Sequence, residues 1–338
     1  MAENKKSIID EAVKMLDKKY GAKTIIKMGA IEEMTVEAIK TNCFSLDNVF
    51  GCGGIPRGRI IELFGLESSG KSTLALFIAA QVQKQGGSVC WIDAEHAFDS
   101  DYAQKIGVEI KGLYVSQPAT GEEALDIVDK MASTSAIDLI VLDSVAALVP
   151  KRELEGDLLD NEMAQTARMM SKAMRMLSGN ISKTNTAVIF INQVREKVGV
   201  FWGKKEVTPG GKALKFFASV RLEVHKGKQI KRGEEIVGTQ MTFCAVKNKV
   251  GMPFRTGELE MIFGEGVDIF GDILAQSVDK GLIKLNGRTY VYGETNIGEN
   301  RESAIKRLLE DEKLFKELYC KLEEVSKTRT ASGSVGTA

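Results

Sequence analysis

The chain has 338 residues, 43% of them apolar and 27% charged, with 46 basic side chains balanced by 46 acidic ones. That length exceeds a single domain core, so one large domain carrying smaller appendages is expected. No apolar run approaches the roughly 20 residues that span a bilayer, and residues 1–6 are polar with no signal core behind them, so neither membrane insertion nor secretion is expected and the cytoplasm is the expected compartment.

In chain order, residues 7–20 set Ile8, Ile9, Ala12, Val13, Leu16 and Tyr20 on one helical face, with Ser7 and Asp10 as a start signal and Gly21 as a stop. Such a stripe needs a cover, which its own domain or a neighbouring subunit can supply. From Arg59 short apolar runs alternate with helical segments, the pattern of buried parallel strands in an α/β protein. Strands are expected at 60–64, 89–92, 113–115, 139–142 and 188–191, and helices at 72–85, 121–133 and 161–182. Right-handed crossovers would cover both faces of that sheet and gather ligands at its carboxyl edge.

After Gly211 three antiparallel additions are expected at 219–225, 239–246 and 259–263. A small α+β module follows, with a helix over 268–280, a hairpin at Asn286-Gly287 and helices over 302–309 and 312–325. Residues 327–338 are rich in Ser, Thr and Gly and read as a disordered tail. The domain reading is 1–32 for a helix and linker, 33–267 for the core, 268–326 for the module and 327–338 for the tail.

The five cysteines, Cys43, Cys52, Cys90, Cys244 and Cys320, never form a C-x-x-C pair and have only His96 and His225 for company. Reduced thiols are expected, not a zinc site or disulfides. Although the net charge is zero, residues 195–232 hold eleven Lys or Arg and three Glu. That imbalance is the footprint of a polyanion site or of a solvated charged face.

Gly65-Leu66-Glu67-Ser68-Ser69-Gly70-Lys71-Ser72 fits G-x-x-x-x-G-K-[ST] between an expected strand and an expected helix. Its glycines let backbone N–H groups surround an anion at a helix N-terminus, with Lys71 on the β and γ phosphates of ATP and the Ser72 hydroxyl on Mg²⁺. Asp143, ending the strand 139–142, is placed as the second metal-side group. Glu95, in Asp93-Ala94-Glu95-His96, is placed as general base, and a solvated strand-end acid is the alternative for each. Gln193 ends another strand and reads equally as a γ-phosphate sensor or a loop cap.

In order and spacing, GLESSGKST (65–73), WIDAEH (91–96), VLDSVAALVP (141–150), FINQVR (190–195) and TPGGKALKF (208–216) resemble the bacterial RecA recombinases. Gly156, the stretch 168–176, Lys247-Asn248-Lys249 and Gly264–Gly266 add to the resemblance, which covers about residues 5–295. It implies a RecA-type P-loop ATPase core with a mostly parallel sheet, an N-terminal polymerisation helix and a small α+β C-terminal domain. It further implies an ATP-dependent recombination and DNA-repair protein that forms a helical filament on single-stranded DNA, exchanges strands with duplex DNA and stimulates self-cleavage of a LexA-type repressor. By resemblance Glu95 is the catalytic carboxylate and Gln193 the sensor, and Thr73 closes the phosphate motif. Asp99 and Tyr102 neighbour adenine, while Lys247 and Lys249 reach a neighbouring subunit's ATP and Phe216 lies at the interface.

Two loops, 155–162 followed by Arg168 and Arg175, and 194–211, resemble the family's DNA loops. The second interleaves Arg195, Lys197, Lys204 and Lys205 with Phe201, Trp202, Gly210 and Gly211, a mixture suited to phosphates and stacked bases or to a mobile lid over the nucleotide. The chain departs from the family at Leu66, where proline is usual, at Trp202 and Glu162, and in lacking an acidic tail. Arg301 is a loose match to a duplex-guiding cation. A hexameric helicase ring and a nucleotide-gated DNA scaffold without turnover are the rival functions.

Overall fold

A computed structural model describes residues 2–21, 25, 36–156, 165–196 and 206–332, with backbone alone at 2–4, 195–196, 206–207 and 327–332. The chain forms two compact units, Met1–Val36 and Glu37–Ala338. The described part of the first is helix α1 (Ala2–Tyr20), longer at its start than expected, with Lys18 and Lys19 at the negative end of its dipole. Ile8, Ile9, Met15 and Tyr20 on it are exposed.

The second unit opens with β1 (Ala38–Ile39), α2 (Phe44–Phe50) and β2 (Ile55–Pro56). Its α/β run follows as β3 (Ile60–Gly65), α3 (Lys71–Lys84), β4 (Val89–Asp93), α4 (Ser100–Ile106), β5 (Leu113–Ser116), α5 (Gly121–Ser133), β6 (Leu139–Asp143), α6 (Lys151–Glu155), α7 (Gln165–Thr184) and β7 (Ala187–Gln193). Next come β8 (Arg195–Glu196), β9 (Glu206–Val207), α8 (Ala213–Phe217), β10 (Val220–Arg232), β11 (Glu235–Asn248), β12 (Thr256–Ile262) and β13 (Gly266–Val267). The chain ends with α9 (Ile269–Asp279), β14 (Ile283–Asn286), β15 (Thr289–Tyr292), β16 (Thr295–Gly298), α10 (Arg301–Glu310) and α11 (Glu312–Ser332).

One nine-stranded sheet runs in the order β13-β12-β11-β10-β3-β7-β6-β4-β5. Its strands alternate between two cores as the period of two requires. Ile61, Leu63, Leu139, Val141, Ile189 and Ile191 pack with Leu74, Phe77 and Ile78 of α3, whereas Ile60, Ile140, Leu142, Val188 and Phe190 pack with Val128 of α5 and Met170 and Met174 of α7. Both faces are buried, and the strands read as continuous apolar runs for that reason.

Three expectations need correction. The strand expected at 219–225 is not a purely antiparallel addition: β10 pairs in parallel with β3 from Val220↔Ile61 to Glu223↔Phe64 and antiparallel only with β11. The crossover through α8 returns the chain to the amino edge of the sheet, so the next strand runs with β3 and β7. The hairpin at Asn286-Gly287 gains a third strand, β16, and α11 continues to Ser332 through residues expected to be unstructured. Residues 161–164 of the expected helix 161–182, and the tail beyond Ser332, lie outside the described residues.

The C-terminal module has its own core of Ile273, Leu274, Ile283, Ile297, Leu308, Leu318 and Leu322, into which Phe44 of α2 inserts. Two buried carboxylates fix it to α2. Asp272 accepts from the Ser45 backbone N–H at 3.0 Å and from its hydroxyl, and Asp47 accepts from the Tyr319 hydroxyl at 2.6 Å and from the Thr41 hydroxyl at 2.8 Å. Burial pushes Asp47 up to about 7, against the lowering effect of the Tyr319 and Thr41 hydrogen bonds.

Because its folded pKa lies above the ordinary Asp value, the favourable contribution of Asp47 is complete below that ordinary value and is lost as pH rises through about 7. Asp47→Asn removes the titration. Between pH 5.5 and pH 8 the unaltered protein should therefore lose about 2 kcal/mol of stability relative to Asp47→Asn, read from denaturant unfolding of both at the two pH values.

Candidate nucleotide site

Parallel strands deliver their carboxyl ends to one edge of a sheet, and the ends of β3, β4, β6 and β7 build a single cavity. It has a volume of about 240 Å³ and is lined by Glu67, Ser68, Gly70, Lys71, Ser72, Thr73, Glu95, Asp143, Ser144, Ile191 and Gln193. The phosphate loop leaves β3 at Gly65, where a Cβ would stand 2.1 Å from the Val224 carbonyl oxygen of the neighbouring strand, so no larger residue fits. Gly70 caps α3 with φ of 90°, in the left-handed region that glycine enters without strain. Helix α3 begins at Lys71 and directs its positive end into the loop.

Lys71 is buried, and its ammonium donates to the Leu66 carbonyl oxygen at 2.7 Å, closing the loop on itself. Burial lowers its pKa, and Asp143, Glu95 and Glu67 oppose that shift. Asp143 is pushed up to about 6, first by burial, with Glu95 and Asp93 adding to the rise and a hydrogen bond from Ser72 working against it. Ser72 and Asp143, which the sequence assigned to one metal, therefore touch.

Glu95 reaches the same space through the turn after β4. Asp93 shapes that turn by accepting from the backbone N–H groups of Ala97 and Phe98 at 3.2 and 3.0 Å and from the Gln117 amide at 2.9 Å. The Ala94 N–H donates to the Asp143 carbonyl oxygen at 2.7 Å, tying the ends of β4 and β6 together. The Ser144 hydroxyl then donates to Glu95 Oε1 at 2.5 Å, and Gln193 Nε2 donates to the same oxygen at 3.3 Å. One carboxylate oxygen is thus held twice, which orients Oε2 for other work. The Asp143–Ser144 peptide is cis.

Beside the loop, Thr73 Oγ1 and the Tyr102 hydroxyl lie 2.9 Å apart. Asp99 caps α4 by accepting from the N–H groups of Asp101 and Tyr102. Leu66, the departure from proline, is 54% exposed, in keeping with a position that supplies backbone alone.

Lys247 and Lys249 are not among the residues lining this cavity. They stand at the end of β11, where Lys247 donates to the carbonyl oxygens of Lys215 and Phe216 at 2.6 and 2.9 Å and Lys249 to that of Phe216 at 3.4 Å. Phe216 itself is 68% exposed. Lys247 is pushed down to about 8, chiefly by burial and then by Lys249 and Arg221.

Of the residues assigned to DNA, Arg168 and Arg175 lie seven apart on the exposed side of α7. Arg168 also lines a separate cavity of about 490 Å³ with Met169, Met176 and Leu125, away from the phosphate loop. Gly210 and Gly211 lie close to the core: a Cβ on Gly210 would stand 2.9 Å from Val145 and 3.4 Å from Met170 of α7, and one on Gly211 2.9 Å from Ala167 of α7. Arg195 is described by its backbone in β8, which pairs with β9. Lys197, Lys204, Lys205, Phe201, Trp202 and Glu162 lie outside the described residues. Arg301 donates to Glu260 at 2.8 Å and Asp268 at 3.2 Å, so its charge is already matched.

Sequence reasoning missed three contributors. Ser144 carries no role in the sequence reading. Glu62 and its partner Arg221, 2.5 Å away, escaped notice, although one glutamate within the apolar run of β3 was a signal that a buried partner must exist.

A phosphate loop opening onto parallel strands that end in a hydroxyl-linked aspartate and a second, oriented acid defines a P-loop nucleotide-binding ATPase core. Residues 7–268 match the family model described as the RecA N-terminal domain. The chain is 49% identical to a protein named Protein RecA of Thermus aquaticus over 98% of each chain. It is 49% identical to Protein RecA of Enterococcus hirae over 90% of this chain and 88% of that one, and 48% identical to Protein RecA of a Thermus thermophilus strain over 96% of each. The chain belongs to the RecA family, and its function is homologous recombination and DNA repair.

Ser144 supplies the shorter of the two bonds that orient Glu95. With Glu95 as the expected general base, Ser144→Ala should cut ATP turnover about tenfold while changing nucleotide affinity less than about twofold, because orienting that base would act on the chemical step. Phosphate release and titration with a fluorescent nucleotide measure the two quantities.

Proposed function

We propose that the chain is a DNA-dependent ATPase that assembles as a helical filament on single-stranded DNA and exchanges strands with a homologous duplex. The observation that carries this reading is the convergence of Lys71, Ser72, Asp143, Glu95 and Gln193 on one cavity, with Lys247 and Lys249 outside it. Lys71 and the backbone N–H groups from Gly65 to Thr73 bind the phosphates, and Asp99 and Tyr102 flank the base. The donor set fits Mg²⁺, which takes one or two carboxylates together with phosphates and water, and Ser72 and Asp143 are in contact. Ser72 and Asp143 would hold the ion, which would supply positive charge against the triphosphate.

Glu95 Oε2 accepts a proton from the attacking water while Ser144 and Gln193 fix the other oxygen. Gln193 acts as the γ-phosphate sensor, a role supported by its amide facing Glu95 and by its backbone leading into the second DNA loop. Lys247 and Lys249 are like charges held side by side near an exposed aromatic, an arrangement that an anion from outside relieves. In a filament that anion is a neighbour's triphosphate, and the two lysines act in trans as an arginine finger does. Helix α1, with its exposed Ile8 and Ile9, docks on the adjoining protomer and makes the contact heterologous.

Arg168, Arg175, Arg195 and Lys197 follow the DNA phosphates, Trp202 enters between bases, and Gly210 and Gly211 let the second loop return closely to the fold. Such contacts are indifferent to base identity, so pairing supplies the specificity. Stimulation of LexA-type repressor self-cleavage and cytoplasmic location belong to the same reading through the family. No helix among the described residues is long and apolar enough to cross a membrane.

Lys71→Ala should abolish ATP turnover and strand exchange; retained turnover removes the nucleotide site. The shared site has a sharper test. Glu95→Ala and Lys249→Ala should each be inactive alone, whereas a 1:1 mixture on single-stranded DNA should regain turnover at about one junction in four, where intact Glu95 meets intact Lys249. A mixture as inactive as its parts contradicts the trans arrangement. Electron microscopy showing closed rings in place of open filaments favours a helicase.

A further inference from the structure

Charged side chains in the middle of a sheet buried on both faces are rare, and Glu62 is one: it is fully buried at the centre of β3. Its two oxygens serve different partners. Oε2 accepts from Arg221 Nε of β10 at 2.5 Å, and Oε1 accepts from Asn192 Nδ2 of β7 at 3.0 Å. The Arg221 guanidinium also lies 4.3 Å over the Phe64 ring, so it has little freedom to leave.

Asn192 is equally buried and uses both ends of its amide. Oδ1 accepts from the Gln193 N–H at 3.0 Å, while Nδ2 donates to Glu62 and also to the Pro209 carbonyl oxygen at 3.3 Å. Gln193 lines the nucleotide cavity, and Pro209 precedes Gly210 and Gly211 on the returning arm of the second DNA loop. On the far side of Glu62, Arg221 is the cross-strand partner of Lys247, the trans lysine.

We infer that Glu62 and Asn192 are positioning residues that couple the nucleotide sensor to the DNA-binding arm, so that a shift of Gln193 is passed to Pro209 through a single amide. The physical ground is that neither polar group has an alternative. Asn192 cannot rotate to follow Gln193 without unpairing Glu62 or releasing the Pro209 carbonyl, and buried polar groups left without partners are strongly disfavoured. Gln193, Asn192, Glu62, Arg221 and Pro209 therefore move as a set. Neither Glu62 nor Asn192 lines the nucleotide cavity, so their effect lies in the linkage between two ligands and not in the affinity for one.

This inference rests on the proposed ATPase and DNA-binding reading, and the quantity to measure is the factor by which a non-hydrolysable ATP analogue tightens binding of single-stranded oligonucleotide to the full chain. Fluorescence anisotropy gives that ratio at fixed salt for the unaltered protein and for Asn192→Ala. The expected result is a ratio reduced at least about tenfold in Asn192→Ala, with affinity for the analogue alone within about twofold of the unaltered protein. A purely structural role would lower thermal stability and both affinities together and leave the ratio intact, and that outcome overturns the inference.

Should Asn192→Ala fail to fold, Glu62→Gln, which keeps an acceptor for Asn192 but loses the negative charge, is measured by the same criteria. If the unaltered protein shows no gain from the analogue, the proposed function itself fails. If it shows the gain and the folded variant keeps it, only the positioning role is lost.

Discussion

The register between β3 and β7 is the constraint on which the nucleotide site depends. Parallel pairing sets Gly65 opposite Gln193 and Phe64 opposite Asn192, so the first residue of the phosphate loop and the Gln193 amide leave the sheet side by side. The neighbouring pair β4 and β6 repeats the arrangement with Asp93 opposite Asp143. A slip of one residue in either ladder would invert every side chain between the two cores, and in the first it would also move Asn192 out of line with Glu62. Sheet burial on both faces forbids that slip, so the precision of the site comes from the same apolar contacts that hold the fold together.

Within that apolar frame the Glu62, Arg221 and Asn192 cluster is expensive. Removing charges from water costs several kcal/mol per ion, and a buried pair is often no more stabilising than well-packed apolar residues of the same volume. Stability is therefore a poor explanation for its presence. What an apolar replacement could not supply is direction: the carboxylate has two acceptors facing two different strands, and the adjacent amide faces both the Gln193 N–H and the Pro209 carbonyl. Packing alone would tolerate small independent shifts of β7 and β10, whereas paired polar groups in a dry interior do not.

Much of this was legible in the sequence because its signals are local. Five of the parallel strands, the phosphate loop and both acids announce themselves through runs, spacing and position at strand ends, and each of those strands appears within two residues of where the pattern sets it. The parallel pairing of β10 was not legible, since it depends on where the crossover through α8 returns the chain. Nor was the third strand of the C-terminal sheet, because Thr295–Gly298 carries one buried apolar residue, Ile297, and no alternation. The Glu62 cluster joins residues separated by 130 and 159 positions, and only a pairing register brings such positions together. For α11, weak apolar periodicity after Val325 hid a helix that its own backbone hydrogen bonds carry to Ser332.

A coupling of this kind is symmetrical. If ATP tightens the grip on single-stranded DNA by some factor through Gln193 and Asn192, then DNA must tighten the grip on ATP by the same factor, because both describe one closed thermodynamic cycle. On the proposed reading, filament growth would add a third partner to the cycle: each new protomer would bring Lys247 and Lys249 to a triphosphate, and within that protomer Lys247 lies across the strand pair from Arg221, which already holds Glu62. Nucleotide, DNA and neighbour then bias the same set of buried polar groups. On that reading hydrolysis would remove one of the three, and the affinity lost for DNA would equal the affinity that the bound triphosphate had conferred. In that scheme release after turnover would require no separate motor element. It follows from how little freedom Glu62 leaves its partners.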